Sequence, residues 1–178
     1  INRMIIGGYI LKKSILEEIP IRLCIDERLD NWIPEFSIND QYKEYMKVVE
    51  FCRSLMLNIT NHLILEYGQD LKNNQWILEP FADLAISFSI IDTTFKRFYG
   101  LDNGNHKNNT ENVFKLSLAN NFYDMLNNSK LILEYVPNIN LNKKIDTFLK
   151  RLDYKPNRIS YKKKIAAKLY ENKKYYLD

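Results

Sequence analysis

Cysteine is nearly absent from this sequence, with two in 178 residues. Cys24 and Cys52 lie far apart, belong to no CxxC pair and have no histidine cluster beside them. That suits buried thiols in a reducing compartment better than a disulfide framework or a structural zinc site. Glycine and proline are scarce as well, at five each. There is no phosphate loop and no Gly-x-Ser-x-Gly, and Gly7-Gly8 follows no strand, so it is not a dinucleotide fingerprint. Long hydrophobic runs are missing: no apolar stretch reaches membrane-spanning length, and the opening INRMIIGGYILKK lacks the order of a secretory signal. Nor does one sign of charge dominate. Lys and Arg number 26 against 22 acidic residues, a net charge of +4 that is a mild excess and not a nucleic-acid signature. The first residue is isoleucine, so residue 1 is expected to be the cut end of a longer polypeptide.

What the sequence does have is apolar bulk at helical spacing. It is 46% hydrophobic and 13% aromatic, enough for one sizeable core. From Tyr45 the residues Val48, Val49, Cys52, Leu55, Met56, Ile59 and Leu63 recur at steps of three and four, between the cap-like Ser37-Ile38-Asn39-Asp40 and Gly68. A second helix is expected from about Leu71 to Tyr99, with Ile77, Leu78, Phe81, Leu84, Ala85, Phe88, Ile91, Phe95 and Phe98 inward and Gly100 closing it. Phe114, Leu118, Phe122, Met125 and Leu126 share one face of a third, which ends before Pro137. No strand alternation, repeat or Gly/Ser linker is present. The spacing predicts an all-α fold, a helical bundle of about five or six helices near 2–19, 39–68, 71–99, 111–135, 140–153 and 160–176. The expected layout is a first helix over 1–19, a linker over 20–38, a helical bundle over 39–153 and a basic helical tail over 154–178.

Pro80 conflicts with its helix, because an interior proline removes a hydrogen bond and clashes with the carbonyl four residues back. Either a bend at Asn74–Leu78 or a fresh start with Pro80 in the first turn is expected, and Pro80→Arg is expected to preserve folding. Asp83, one step off the apolar stripe, is best explained by a hydrogen bond to a neighbouring helix. A di-iron bundle would need Glu-x-x-His pairs; His62 is followed by Glu66 at the wrong order and spacing, and His106 falls in a loop, so both read as ordinary polar residues. Glu17/Glu18, Asp26/Asp30 and Glu66/Asp70 lie in charged surroundings and read as solvated faces. No catalytic, cofactor-binding or metal-binding residue emerges from the chain itself.

A resemblance rests on other residues. Leu63–Ile86, LILEYGQDLKNNQWILEPFADLAI, resembles the C-terminal extension of the very-long-chain class of acyl-CoA dehydrogenases, including the paralogue associated with respiratory complex I assembly. That family has a helix ending in an aromatic-Gly pair, then a helix of the type E-E-Q-x-x-L-K-R-x-A-D; Tyr67-Gly68, Gln75, Leu78, Ala82 and Asp83 stand at the corresponding places, while Glu79-Pro80 replaces a basic pair. Leu118-Ala119-Asn120 followed by Phe122 resembles the next family helix, and Tyr154-Lys155-Pro156-Asn157-Arg158 resembles its tail. Ile1-Asn2-Arg3-Met4-Ile5-Ile6 is similar to the I-L-R-M-x-I end of a family loop whose upstream Glu removes the substrate α-proton.

The resemblance implies a scaffold and dimerisation region of an FAD-dependent enzyme of fatty acyl-CoA α,β-dehydrogenation, with the catalytic base upstream of residue 1. FAD is then expected in the parent enzyme and none on this chain alone. Arg3 would tie the loop to the bundle, and Gly68, Gln75 and Asp83 would be structural. The implied partners are the upstream dehydrogenase domain, a second copy in a homodimer, and an inner-membrane surface or respiratory assembly partner; the implied location is the mitochondrial matrix. A rival expectation is a non-catalytic helical module that docks an assembly partner. In the 20–38 segment Ile21, Leu23, Ile25, Leu29, Trp32 and Ile33 are expected to pack on the domain in preference to a membrane interface. The lysines and aromatics of RISYKKKIAAKLYENKKYY are expected to be a docked helix with a solvated cationic face, in preference to nucleic-acid or anionic-lipid binding.

Overall fold

The computed structural model describes residues 2–26, 32–33, 42–100 and 107–172. Seven α-helices account for nearly all of them: α1 (Asn2–Ile15), α2 (Ile21–Asp26), α3 (Lys43–Tyr67), α4 (Gln75–Gly100), α5 (Lys107–Tyr135), α6 (Ile139–Leu152) and α7 (Arg158–Asn172), with one 3-10 turn at Gly68–Asn73. No strand occurs among the described residues. The fold is all-α, as the spacing predicts.

Helices α4 and α5 form the most extensive pairing; α3 packs on both and on α6, α1 lies along α4, and α7 lies along α5. The stripe on α3 faces inward, with Leu55, Ile59 and Leu63 fully buried against Phe81, Leu84, Ile91, Leu118, Met125 and Ile132. Aromatic rings close one end, where Phe98 and Phe114 stack at 4.2 Å between centroids and Tyr45 meets Phe114 edge-on at 5.1 Å. Asparagines sit inside these helices without breaking them because they bond locally: Asn58, Asn121 and Asn128 each donate to the carbonyl four residues back, at 2.8, 2.8 and 2.9 Å.

Several boundaries differ from those expected. The second predicted helix is split at Asn74, whose carbonyl accepts from the Ile77 and Leu78 amides at 3.1 and 3.2 Å and opens α4. Pro80 is therefore the sixth residue of α4, inside the helix, and α4 does not restart there. The missing amide frees the carbonyl of Trp76, which lies close to the exposed start of α4 and is itself 77% exposed. Because Pro80 is buried, arginine there would press a charge into the core, contrary to the tolerance expected from sequence.

The first helix stops at Ile15, ahead of a turn in which Glu17 takes φ 57°. Residues 20–38 are more than a linker: they contain α2, and Trp32 is fully buried between Phe51 and Phe148, stacked on the latter at 5.3 Å. Ser54 donates to the Trp32 carbonyl at 3.2 Å. Ile21 and Ile25 are buried as well, while Leu23 is 69% exposed and Leu29 lies outside the described residues. The Ser37–Asp40 cap and His106 also lie outside them, and Tyr42 precedes α3 with no side-chain cap.

Candidate functional site

Two expected structural residues meet at the seam between α1 and α4. Arg3 Nε lies 2.8 Å from Asp83 Oδ1, and Arg3 Nη1 lies 3.0 Å from Glu79 Oε1. Four residues along α1, Gly7 is buried so closely against α4 that a Cβ would stand 2.8 Å from the Leu78 carbonyl oxygen. The glycine pair thus serves helix packing: Gly7 lets two backbones approach, while Gly8 faces open space. Leu11 and Ser14 complete the inward face. The outward face is apolar too, with Ile5 63% and Tyr9 60% exposed.

Beyond this seam a groove of about 440 Å3 runs between α1, the 3-10 turn and α4, lined mainly by Leu11, Ile15, Leu16, Leu71 and Leu78 with Lys12 and Gln69. Gly68 shapes its floor. Its amide closes α3 by donating to the Ile64 carbonyl, and its φ of 50° with ψ of −124° is a conformation that suits a residue lacking Cβ. Gln75 is the exposed first residue of α4.

Other polar groups are spent on joining helices. His62, buried on α3, sits with Nε2 3.0 Å from the Val136 carbonyl and Nδ1 3.3 Å from Asn138 Nδ2. A carbonyl can only accept, so the proton is assigned to Nε2 and Nδ1 accepts from Asn138. The Asn138 side chain in turn accepts from the Leu141 amide at 2.9 Å and caps α6. Between α3 and α4, Arg53 bonds Asp92 at 3.0 Å and approaches Glu50 at 3.6 Å, and Lys96 joins Asp92 at 2.6 Å. Sequence reasoning missed both networks. Arg53 and Asp92 each flank a stripe residue, Cys52 and Ile91, and that adjacency was the available signal.

In sequence the carboxylate pairs read as solvated faces. Glu18 pairs with Lys13, Glu66 and Asp70 are exposed, and Asp30 lies outside the described residues. Among the described residues no group of three His, Cys, Asp or Glu side chains is placed to hold a metal, and no helix is long and apolar enough to cross a membrane. Burial pushes the Cys52 thiol far above its ordinary range, and does the same to the Tyr154 phenol. Burial also raises Tyr45, partly opposed by a hydrogen bond from Lys115. For Lys115 burial acts downward, yet its bonds to Glu111 and Tyr45 carry it above the usual value.

No protein-family model matches the chain, and no curated protein matches it. A solved structure does: a crystal structure of an acyl-CoA dehydrogenase complexed with FAD from Bacillus anthracis superposes with a TM-score of 0.77 at 23% identity, over 97% of this chain. The match spans 31% of that structure's chain, so the chain corresponds to under a third of its length. What the two share is the all-helical fold of this portion.

Proposed function

We propose that this chain is the C-terminal helical scaffold of an FAD-dependent acyl-CoA dehydrogenase of the very-long-chain type. The observation that carries the proposal is the extent of the shared fold, nearly all of this chain against less than a third of an FAD-complexed dehydrogenase. The surface of α1 supports it. One side of that helix is fixed to α4 by Gly7 and by the Arg3 contacts to Asp83 and Glu79, and the other offers Ile5, Ile6 and Tyr9 to solvent as an apolar strip suited to the remainder of such an enzyme.

Among the described residues, the polar side chains and the groove beside α1 do not fit a flavin site. Arg3, the position nearest the family's flavin-approaching loop, is turned onto two carboxylates. The groove beside α1 is walled mainly by leucine and isoleucine, with no glycine-rich turn opening an α-helix to cradle phosphates. In this proposal flavin binding and the base that takes the α-proton belong to the upstream dehydrogenase domain, with this chain holding the start of α1 in place and forming a contact surface for the rest of the protein.

The test is to read the gene upstream of the codon for Ile1 and to purify its full-length product. A Tyr-Glu-Gly-Thr-type loop directly before Ile1, with bound flavin, supports the proposal. A non-ionisable residue at the Glu position favours the rival assembly module, and an upstream region with no dehydrogenase-like domain contradicts both.

A further inference from the structure

Positive charge in this chain is segregated. Residues 139–178 hold twelve Lys and Arg against four Asp and Glu, whereas residues 1–138 hold fourteen against eighteen. Folding gathers part of that excess around a cleft of about 410 Å3 where α5, the end of α6 and the turn before α7 meet. Its walls are aromatic. Phe122, Tyr123 and Tyr154 line it over an aliphatic base that includes Leu126, and Phe122 and Tyr154 meet edge to face with centroids 5.1 Å apart. Its rim is cationic. Lys150 and Lys155 border the cleft, and the Arg158 guanidinium stands 4.7 Å over the Tyr123 ring. The carboxylate at the mouth, Asp153, is paired with Lys155 at 2.5 Å, which leaves the charges of Lys150 and Arg158 in excess.

A cleft of this volume is within the range for small ligands. Its chemistry asks for two things in one molecule, a flat ring to lie against aromatic side chains and an anion within reach of the rim. A sugar phosphate lacks the first, and an apolar ring lacks the second. We propose that this cleft binds a nucleoside phosphate, with the base against Tyr154 and the phosphates held by Lys150 and Arg158. A strand of nucleic acid would call for a row of stacking rings along a cationic groove. Here three rings converge on one cleft, which favours a single nucleotide. The inference does not depend on the function proposed above, since the cleft is built from α5, α6 and the approach to α7.

Photolabelling tests it in the full-length protein, because mapping the label separates this cleft from any nucleotide site elsewhere. With 8-azido-ADP, saturable labelling is expected on peptides containing Tyr123 or Tyr154, with protection by unlabelled ADP. The exposed pair Lys150→Glu and Arg158→Glu should weaken it by roughly tenfold or more, as loss of charged hydrogen bonds implies. Lys130→Glu, on α5, should leave it unchanged, and circular dichroism should show all variants equally helical. Absence of saturable label from the Tyr123 and Tyr154 peptides, labelling there that ignores the charge reversals, or labelling there that inorganic pyrophosphate blocks as well as ADP does would overturn the proposal. Protection by single-stranded RNA with none by ADP would also overturn it, in favour of a polyanion surface.

Discussion

Replacing Gly7 and Gly8 one at a time by alanine should move stability in opposite directions. At Gly7 a new Cβ would stand 2.8 Å from the Leu78 carbonyl oxygen and 3.6 Å from the Ala82 Cβ, and backbone cannot rotate out of the way as a side chain can. Helix α1 must withdraw by about half an ångström, which forfeits roughly a quarter of the close dispersion contacts it makes with α4. Overpacking of this kind costs about 1–3 kcal/mol, and the better helix propensity of alanine returns about 1 kcal/mol. The net loss is about 0–2 kcal/mol, or a fall in Tm of up to a few degrees for a chain of this size. At Gly8 the new Cβ meets nothing within 4 Å, so only the propensity gain remains, about 0.5–1 kcal/mol and a rise in Tm of roughly 2–3 °C. Thermal melts followed by circular dichroism read both. A Gly7→Ala protein that gains as much stability as Gly8→Ala, or a Gly8→Ala protein that is destabilised as much as Gly7→Ala, would refute the close packing of α1 on α4.

Truncating Arg3 to alanine should cost no more than about 1 kcal/mol, because its partners Glu79 and Asp83 have side chains 60% and 29% exposed and solvent screens the pairs; the loss should shrink in high salt. His62→Ala should be worse, about 1–3 kcal/mol, since it strands the Val136 carbonyl and the Asn138 amide, and hydrogen exchange should quicken at residues 136–141. Pro80→Arg should lower Tm through burial of a charge, and an unchanged melt would show that α4 can turn that position to solvent. In alkali Cys52 and Tyr154 keep their protons when folded, whereas the unfolded chain releases them near its ordinary values of 9.0 and 10.0. The folded state then binds more protons, so stability should fall as pH rises above about 9, and Cys52 should resist thiol reagents until the chain unfolds.

The helices were legible because their signal is redundant. On α3 the repeated apolar step places six of the seven named residues, Val48 through Leu63, in the buried class, and Met56 alone is half-buried. What sequence periodicity could not resolve was where polar residues go once helices meet. His62 looks ordinary until α3 is laid against the α5–α6 turn, 74 residues away at Val136. Trp32 shows the same limit: its short surrounding segment has too few turns for a stripe, yet its ring is held by Phe51 and Phe148 from two distant helices. Arg3 and Asp83 were each singled out separately, and only the packing of α1 along α4 brings them to 2.8 Å. The cleft of Phe122, Tyr123 and Tyr154 was hidden for the same reason, since its rings come from α5 and from the turn after α6.

The proposed scaffold role in a flavin-dependent dehydrogenase is tested most directly by the visible absorption spectrum of the full-length gene product, recorded anaerobically before and after a long-chain saturated acyl-CoA is added. Flavin absorption that bleaches on addition is the predicted result, with the isolated 178-residue chain colourless. A full-length product without flavin, a flavin that no acyl-CoA reduces, or stoichiometric flavin on the isolated chain would contradict the account.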